Sequence, residues 1–155
     1  MIVSIEPAVE SEVPEILCIM AFANMHHVPS EEMPDLDWRC FFVARLDGAM
    51  AGAAGYRILD DTSAKTTLMA VDPACRGYGI GMLLQERRMR TLFEKGIRKL
   101  TTNADRPETI RWYQKHFGYR VVGSLKKVHE FGHPDIHEWT TLETDLVEWG
   151  KRAAN

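Results

Sequence analysis

The spacing of apolar and polar residues predicts strands and helices in turn along the chain. Ile2 to Ile5 alternates apolar and polar residues, which predicts a first strand. From Val13 to Met20 the apolar residues recur at helical spacing, and Ser11 precedes them as a candidate cap. The polar stretch from His26 to Asp35 is interrupted by two prolines and predicts a loop.

A hairpin and a second helix follow that loop. Phe41 to Leu46 predicts a strand, and Asp47-Gly48 predicts a tight type I′ turn into a return strand that runs towards Ile58. Thr66 to Val71 predicts a further strand. A helix is then predicted to begin near Ile80 and to end at Lys95-Gly96, because glycine favours a helix C-terminus.

The second half of the chain continues the alternation. Ile97 to Thr102 predicts a strand, and Asp105 is a candidate cap for a helix that Gly118 would close. Tyr119 to Asp145 is strand-like on both sides of a glycine- and proline-containing turn at 132–135. The predicted order is therefore β-α-β-β-β-α-β-α-β-β, a mixed α/β (α+β) domain.

Composition narrows the class of protein. The 155 residues fit one domain, and 45% hydrophobic with 26% charged residues is typical of a soluble globular protein. A net charge of -3 argues against nucleic acid as a partner. The three cysteines are odd in number and irregularly spaced, the N-terminus does not resemble a signal peptide, and no apolar run approaches membrane-spanning length. These features predict a cytoplasmic protein with no membrane partner.

The segment with the clearest chemistry is the glycine-rich turn between the Thr66–Val71 strand and the next helix. Glycines allow a ligand to approach the backbone, while the free N–H groups and dipole at a helix N-terminus favour an anion such as pyrophosphate. Arg76 could add a charged contact. A P-loop would need Gly-Lys-Ser/Thr, which is absent, and a dinucleotide-binding turn belongs to a first βαβ unit rather than after several strands.

Two motifs in this sequence resemble the signatures of the GNAT superfamily of acyl-CoA-dependent N-acyltransferases. Val71-Asp72-Pro73 followed by the 76–81 segment, Arg-Gly-Tyr-Gly-Ile-Gly, is similar to the family's Q/R-x-x-G-x-G/A loop after its fourth strand. Tyr113 to Tyr119 is similar to its helix-borne tyrosine followed by Gly-Phe or Gly-Tyr. The motifs stand in the family's order, and the predicted elements match it from Met1 to Asp145.

The resemblance implies a fold, a co-substrate and a partner. It implies an N-acetyltransferase domain over residues 1–145 and a tail, compatible with a helix, over 146–155. The sheet would be mostly antiparallel with flanking helices, and a splayed central strand pair near Met69–Val71 and Leu100–Asn103 would hold a pantetheine arm. Acetyl-CoA would be the co-substrate with no metal required, a small-molecule or peptide amine the acceptor, and a homodimer the assembly.

The resemblance also implies which residues contact coenzyme A. Main-chain groups of the strand would hold the pantetheine arm and those of the glycine loop the pyrophosphate; the residues are Met69, Val71, Arg76, Gly77, Tyr78, Gly79, Ile80, Gly81 and Met82. The asparagine that family members often carry seven residues before the tyrosine is replaced here by Arg106. Asn103 lies nearby and is a further candidate contact.

Tyr113 is the candidate catalytic residue, because it matches the family's tyrosine near the coenzyme sulfur and could protonate the departing thiolate. A core tyrosine beside Trp112 is the alternative. Backbone N–H groups near Val71 would polarise the thioester carbonyl. The general base is unassigned, since the 66–69 strand has no glutamate; a water chain is one candidate, and the others are His26, His27, His129 and Glu130.

Acidic residues follow the first helix, in a segment that commonly lines the acceptor site of GNAT proteins. They could attract a cationic amine, or they could form a solvated loop; they are Glu31, Glu32, Asp35 and Asp37.

Residues 129–133 read His-Glu-Phe-Gly-His, which matches the H-E-x-x-H spacing of zinc peptidases, and His137 follows. That spacing needs a helix, but Gly132 lies inside the motif and Pro134 directly follows it. The context therefore favours two strands and a turn that form part of the acceptor site over a zinc metallopeptidase, which is kept as an alternative function, with adventitious metal binding by a hairpin left open. The other alternative is an acetyl-CoA-binding sensor without catalysis.

Overall fold

The computed structural model describes residues 2–23, 36–128 and 131–153. Its strands are β1 (Val3–Pro7), β2 (Phe41–Leu46), β3 (Ala49–Ile58), β4 (Ser63–Val71), β5 (Lys99–Ala104), β6 (Arg120–Lys126) and β7 (Glu138–Asp145). Its helices are α1 (Val13–Ala21), α2 (Ile80–Glu94), α3 (Pro107–Phe117) and α4 (Leu146–Ala153). The predicted order of elements is confirmed, and α4 follows it.

The strands form a seven-stranded sheet with the order β1-β2-β3-β4-β5-β7-β6. β2 pairs antiparallel with β1 and β3, β7 pairs antiparallel with β5 and β6, and β4 pairs parallel with β5. The predicted mixed α/β class with a mostly antiparallel sheet and flanking helices is therefore confirmed.

The residues cluster into two compact units. The first consists of Met1–Tyr56 and Thr67–Arg88, and its fully buried side chains include Ile16, Val43 and Leu84. The second consists of Arg57–Thr66 and Met89–Asn155. Its fully buried side chains are Met89, Leu92, Leu100, Leu142 and Leu146.

Turns with a glycine signal form where the sequence predicts them. Asp47 and Gly48 have φ values of 51° and 88°, as a type I′ hairpin turn requires. Gly96 ends α2 with φ of 87°, and Gly118 ends α3 in the left-handed conformation with φ of 68°. Few residues other than glycine adopt these angles without strain, so local sequence alone determines these boundaries.

The two predicted side-chain caps are wrong. Ser11 lies inside a single 3-10 turn, Glu10–Glu12, and the Glu12 carboxylate reaches back to accept a hydrogen bond from Val9 N–H at 2.9 Å. At α3 the N-cap residue is Arg106, which makes no side-chain cap hydrogen bond. The Asp105 carboxylate instead accepts a hydrogen bond from the backbone N–H of His133, an acceptor–donor pair 28 residues apart.

Strand boundaries also differ from the prediction. β4 begins at Ser63, three residues before the predicted Thr66, because Asp60 accepts hydrogen bonds from Thr62 N–H and Ser63 N–H and so completes the turn early. The parallel register of β4 with β5 pairs Ser63–Lys65 with Lys99–Thr101. That ladder pairs three residues of each strand, although β4 has nine residues and β5 has six.

Candidate active site

Strand β4 alternates between buried and half-buried side chains. Leu68 and Ala70 are buried, whereas Met69 and Val71 are half-buried. Successive side chains of a strand point to opposite faces, so Met69 and Val71 share one face of β4 and the core residues the other. Both are candidate coenzyme contacts, and both lie in the first unit with the glycine loop.

The turn that leaves β4 is fixed by Asp72. Its backbone N–H donates to the carbonyl of Ala51 in β3 at 2.8 Å, and its carboxylate accepts from Ala74 N–H at 2.9 Å. The second bond caps a single 3-10 turn, Pro73–Cys75. These bonds hold the start of the glycine loop against β3.

Gly77 and Gly79 need to be glycine because of their backbone angles. Their φ values are 92° and 71°, and a Cβ built on either would meet no atom within 4 Å. The requirement is therefore conformational and does not come from packing within the described chain. The open space beside this backbone is what a closely approaching ligand needs.

The start of α2 presents unpaired N–H groups. The first hydrogen bond of the helix runs from Leu83 N–H to the carbonyl of Gly79 at 3.1 Å. Within the described residues, the N–H groups of residues 77–82 donate no hydrogen bond, as expected at a helix N-terminus. Arg76 is exposed next to them, and Tyr78 is 43% exposed. This arrangement suits an anion, because unpaired donors and the positive end of the helix dipole coincide.

Tyr113 lies in the second unit, on α3, and is 5% exposed. Its ring packs edge-to-face against Trp112 and Tyr119, with centroid separations of 4.9 and 5.0 Å. Its hydroxyl makes no hydrogen bond within the described part of the chain and is not one of the fully buried polar atoms without a partner there, so the oxygen keeps some exposed surface. The ring is therefore fixed by packing while the hydroxyl can reach a solute.

Asn103 is an exposed residue of β5 in the second unit. Its side-chain oxygen accepts a hydrogen bond from Thr141 Oγ1 at 2.7 Å, across the β5–β7 ladder. One end of the amide is thus oriented by β7, and the amide nitrogen has no hydrogen bond within the described part of the chain. Arg106, at the position of the family's asparagine, is exposed beside Glu108.

Comparison with known proteins decides the family. The family model described as "Acetyltransferase (GNAT) family" matches residues 13–119, which is more than half of the chain. The chain belongs to the GNAT acetyltransferase family. No curated protein matches the chain significantly.

Solved structures share this GNAT fold. An N-acetyltransferase from Staphylococcus aureus Mu50 is 22% identical with a TM-score of 0.71, over 94% of this chain and 99% of that one. Ard1 from Thermoplasma volcanium is 18% identical with a TM-score of 0.77, over 94% and 98%. The yncA protein of Salmonella typhimurium, solved with its cofactor acetyl-CoA, is 17% identical with a TM-score of 0.71, over 94% and 95%.

The candidate general bases all lie outside the described residues, and so do three of the four acidic residues proposed for the acceptor site. These residues are His26, His27, Glu31, Glu32, Asp35, His129 and Glu130. Asp37 is described and exposed. Its carboxylate accepts from Arg39 N–H at 3.1 Å and so caps a 3-10 turn, Trp38–Cys40. Asp37 therefore has a local structural function, and its contribution to acceptor binding stays a prediction.

The described part of the H-E-x-x-H segment is not helical. Residues 131–137 form turns, and Gly132 has φ of 68°. Among the residues that the structure describes, no group of three or more His, Cys, Asp or Glu side chains could hold a metal ion. Nor does any helix in the described ranges have the length and apolar character needed to cross a membrane.

A buried ion pair in this region was not found by sequence reasoning. Lys127 Nζ lies 2.9 Å from Asp105 Oδ2 and also donates to the carbonyls of Phe131 and His133. Burial opposes ionisation of Asp105, but hydrogen bonds from His133 N–H and Lys127 outweigh it, so the pKa of Asp105 is lowered. Nothing in the sequence pairs residues 105 and 127, which are 22 positions apart.

Proposed function

We propose that this protein transfers an acetyl group from acetyl-CoA to a primary amine of a small molecule or peptide, by direct attack in a ternary complex. The observation that carries the proposal is the run of unpaired N–H groups at 77–82, next to Arg76, in a chain of the GNAT family. Such a site matches a pyrophosphate, which acetyl-CoA contains.

The residues of the glycine loop fit that ligand. The backbone is open beside Gly77 and Gly79, both of which have positive φ, and the N-terminus of α2 adds the positive end of its dipole. Main-chain groups of Met69 and Val71 would hold the pantetheine arm, as in the family. Arg76, Tyr78, Ile80, Gly81 and Met82 complete the proposed contacts, and Asn103 is a further one.

The transfer forms one bond and breaks one bond. The amine nitrogen attacks the thioester carbonyl carbon with its lone pair, the C–N bond forms, and the C–S bond breaks with its electron pair on sulfur. The amine loses a proton to solvent, and the sulfur gains one, so the products are an N-acetyl amine and free coenzyme A. A backbone N–H near Val71 would stabilise the charge that develops on the carbonyl oxygen.

Tyr113 is proposed as the acid that protonates the departing sulfur. A phenol is an effective proton donor to a thiolate only if it is held at a fixed position, and the edge-to-face contacts with Trp112 and Tyr119 hold this ring. Its hydroxyl then regains a proton from solvent. The buried ring with an unenclosed hydroxyl supports this function over that of a core tyrosine.

Thermal unfolding with and without acetyl-CoA tests the co-substrate. The protein is first dialysed against a chelator, and acetyl-CoA at about 100 times its Kd should then stabilise it by about 2.7 kcal/mol. Zinc is added in a parallel sample. Stabilisation by zinc and none by acetyl-CoA would contradict the proposal and favour the peptidase.

Turnover is tested by measuring free thiol released from acetyl-CoA with a panel of amines and N-terminal peptides. Amine-dependent release, with the N-acetyl product identified by mass spectrometry, is the expected result. Tight acetyl-CoA binding with no acetylated product for any amine class would instead favour the non-catalytic sensor.

A further inference from the structure

Arg88 of α2 is buried inside the first unit, with 1% of its surface exposed. Its Nη1 donates to the carbonyl oxygens of Gly55 and Leu68, at 2.9 and 3.1 Å. Its Nη2 donates to the side-chain oxygen of Gln85 and lies 3.6 Å from Met69 Sδ. Among the described residues, Nε is left without a partner.

The charge of this guanidinium is not matched by a carboxylate. Every acceptor it contacts is neutral, and no ion pair involving Arg88 occurs among the described residues. Burying an unpaired charge costs several kcal/mol, and an apolar side chain of similar size would usually be the more stable choice. A buried cation held only by neutral groups therefore indicates a function beyond packing.

The two carbonyls that Arg88 holds belong to neighbouring strands. Gly55 is in β3 and Leu68 is in β4, and both oxygens point at the same nitrogen. One donor group that bonds both oxygens links the two strands at this point. Arg88 supplies that donor and fixes the orientation of the Leu68–Met69 peptide.

The orientation of that peptide determines where the N–H of Met69 points. In a planar trans peptide the C=O and N–H point in opposite directions, so the N–H of Met69 points away from Arg88. A hydrogen bond from a cation to the carbonyl also polarises the peptide and makes its N–H a stronger donor. Met69 lies on the half-buried face of β4, four residues beyond the end of the β4–β5 register at Lys65.

We propose that Arg88 is a positioning residue that holds and polarises the Leu68–Met69 peptide, so that the N–H of Met69, two residues before Val71, is the backbone donor near Val71 that bonds the thioester carbonyl of acetyl-CoA. This rests on the proposed function, since it deepens the assignment of β4 to the thioester and pantetheine. Arg88 itself touches neither substrate. It acts through a backbone group that must be in place before the transition state forms.

The test compares Arg88→Met with Arg87→Met, the same substitution one position earlier on α2. Arg87 donates to the carbonyl of Ile5 in β1 and lies over the ring of Phe42 in β2, and among the described residues it donates no hydrogen bond to β4. Calorimetry gives Kd for acetyl-CoA and for ADP, which carries a pyrophosphate but no pantetheine arm. Arg88→Gln, which removes the charge and cannot hold both carbonyls, replaces Arg88→Met if that variant does not fold.

A positioning function predicts a selective loss. In Arg88→Met, acetyl-CoA should bind at least about tenfold more weakly and kcat should fall about tenfold to a hundredfold, with Kd for ADP within about twofold of wild type. Arg87→Met should keep both Kd values and kcat within about twofold. A general structural defect would instead lower both affinities, so the ratio of the two Kd values separates the explanations.

A spectroscopic readout tests the peptide directly. In protein labelled with ¹⁵N-methionine, the Met69 amide proton should shift upfield in the Arg88 variants, because its peptide loses the polarising charge, and should not shift in Arg87→Met. If kcat, the ratio of the two Kd values and the chemical shift of the Met69 amide proton are all unchanged in a folded Arg88 variant, the inference about Arg88 is overturned, whereas the proposed function is not affected. Failure of the wild-type protein to bind either ligand would overturn the proposed function itself, and this inference with it.

Discussion

The ammonium of Lys127 is bound to the carboxylate of Asp105 at 2.9 Å, with 5% and 11% of the two side chains exposed. The same ammonium donates to the carbonyls of Phe131 and His133, and it lies 4.5 Å from the ring centroid of Trp139. Within the second unit, these contacts join the start of α3 to the connection between β6 and β7. The pair therefore holds residues 131 and 133 of that connection in their non-helical conformation.

Removing the charge of Asp105 should destabilise the protein. In Asp105→Asn, Lys127 is left buried without a counter-ion, which typically costs about 3–5 kcal/mol. The free energy of unfolding from denaturant titration measures the loss. The double variant with Lys127→Met should be more stable than Asp105→Asn alone; a loss below about 0.5 kcal/mol in the single variant would show that the pair contributes little.

The same pair should make stability depend on acid pH. The pKa of Asp105 is lowered in the folded protein, so its contribution is fully present above the unfolded pKa of about 3.9 and is lost as pH falls through the folded value. The wild-type advantage over Asp105→Asn should therefore be constant near pH 6 and shrink below about pH 4. Denaturant titrations of both proteins from pH 7 to pH 2.5 check this, and an advantage that does not change with pH would contradict it.

Local signals in the sequence predict the turns well, whereas tertiary contacts override the predicted caps. The turns at Asp47-Gly48 and Gly118 need backbone angles that few residue types adopt, so the residue types themselves predict the turns. Asp105 has the residue type and position of a helix cap, but a buried lysine and a distant backbone N–H compete for its carboxylate. Those partners lie more than 20 positions away, beyond the reach of local pattern analysis.

The candidate site shows the same division between local and tertiary information. The glycine loop is found from sequence because its requirement is local: a strand, positive φ at Gly77 and Gly79, and a helix start. Arg88 could not be found, because it lies beside Arg87 and two positions from Arg90, where a polar helix face is the ordinary interpretation. Arg88 differs from these neighbouring arginines in being buried against backbone carbonyls, which only the structure shows.

Gly79→Ala should weaken acetyl-CoA binding, and Gly96→Ala is a matched control. The two glycines stand at opposite ends of α2 with φ of 71° and 87°, and an added Cβ meets no atom within 4 Å at either. Each substitution should cost about 1–2 kcal/mol of stability, since both force alanine into left-handed backbone. Only Gly79→Ala should raise Kd for acetyl-CoA, measured by calorimetry, at least about tenfold; equal Kd values in the two variants would argue against the loop as the pyrophosphate site.

Tyr113→Phe should separate binding from chemistry. The substitution keeps the ring that packs on Trp112 and Tyr119 and removes only the hydroxyl, which is not enclosed. Because the hydroxyl is proposed to protonate the departing thiolate, kcat should fall about 100-fold or more, while Kd for acetyl-CoA stays within about twofold. Steady-state release of free coenzyme A with an accepted amine gives kcat, and calorimetry gives Kd. Loss of affinity with unchanged kcat would make Tyr113 a binding residue, and no change in either would make it a core tyrosine whose hydroxyl has no function in the transfer.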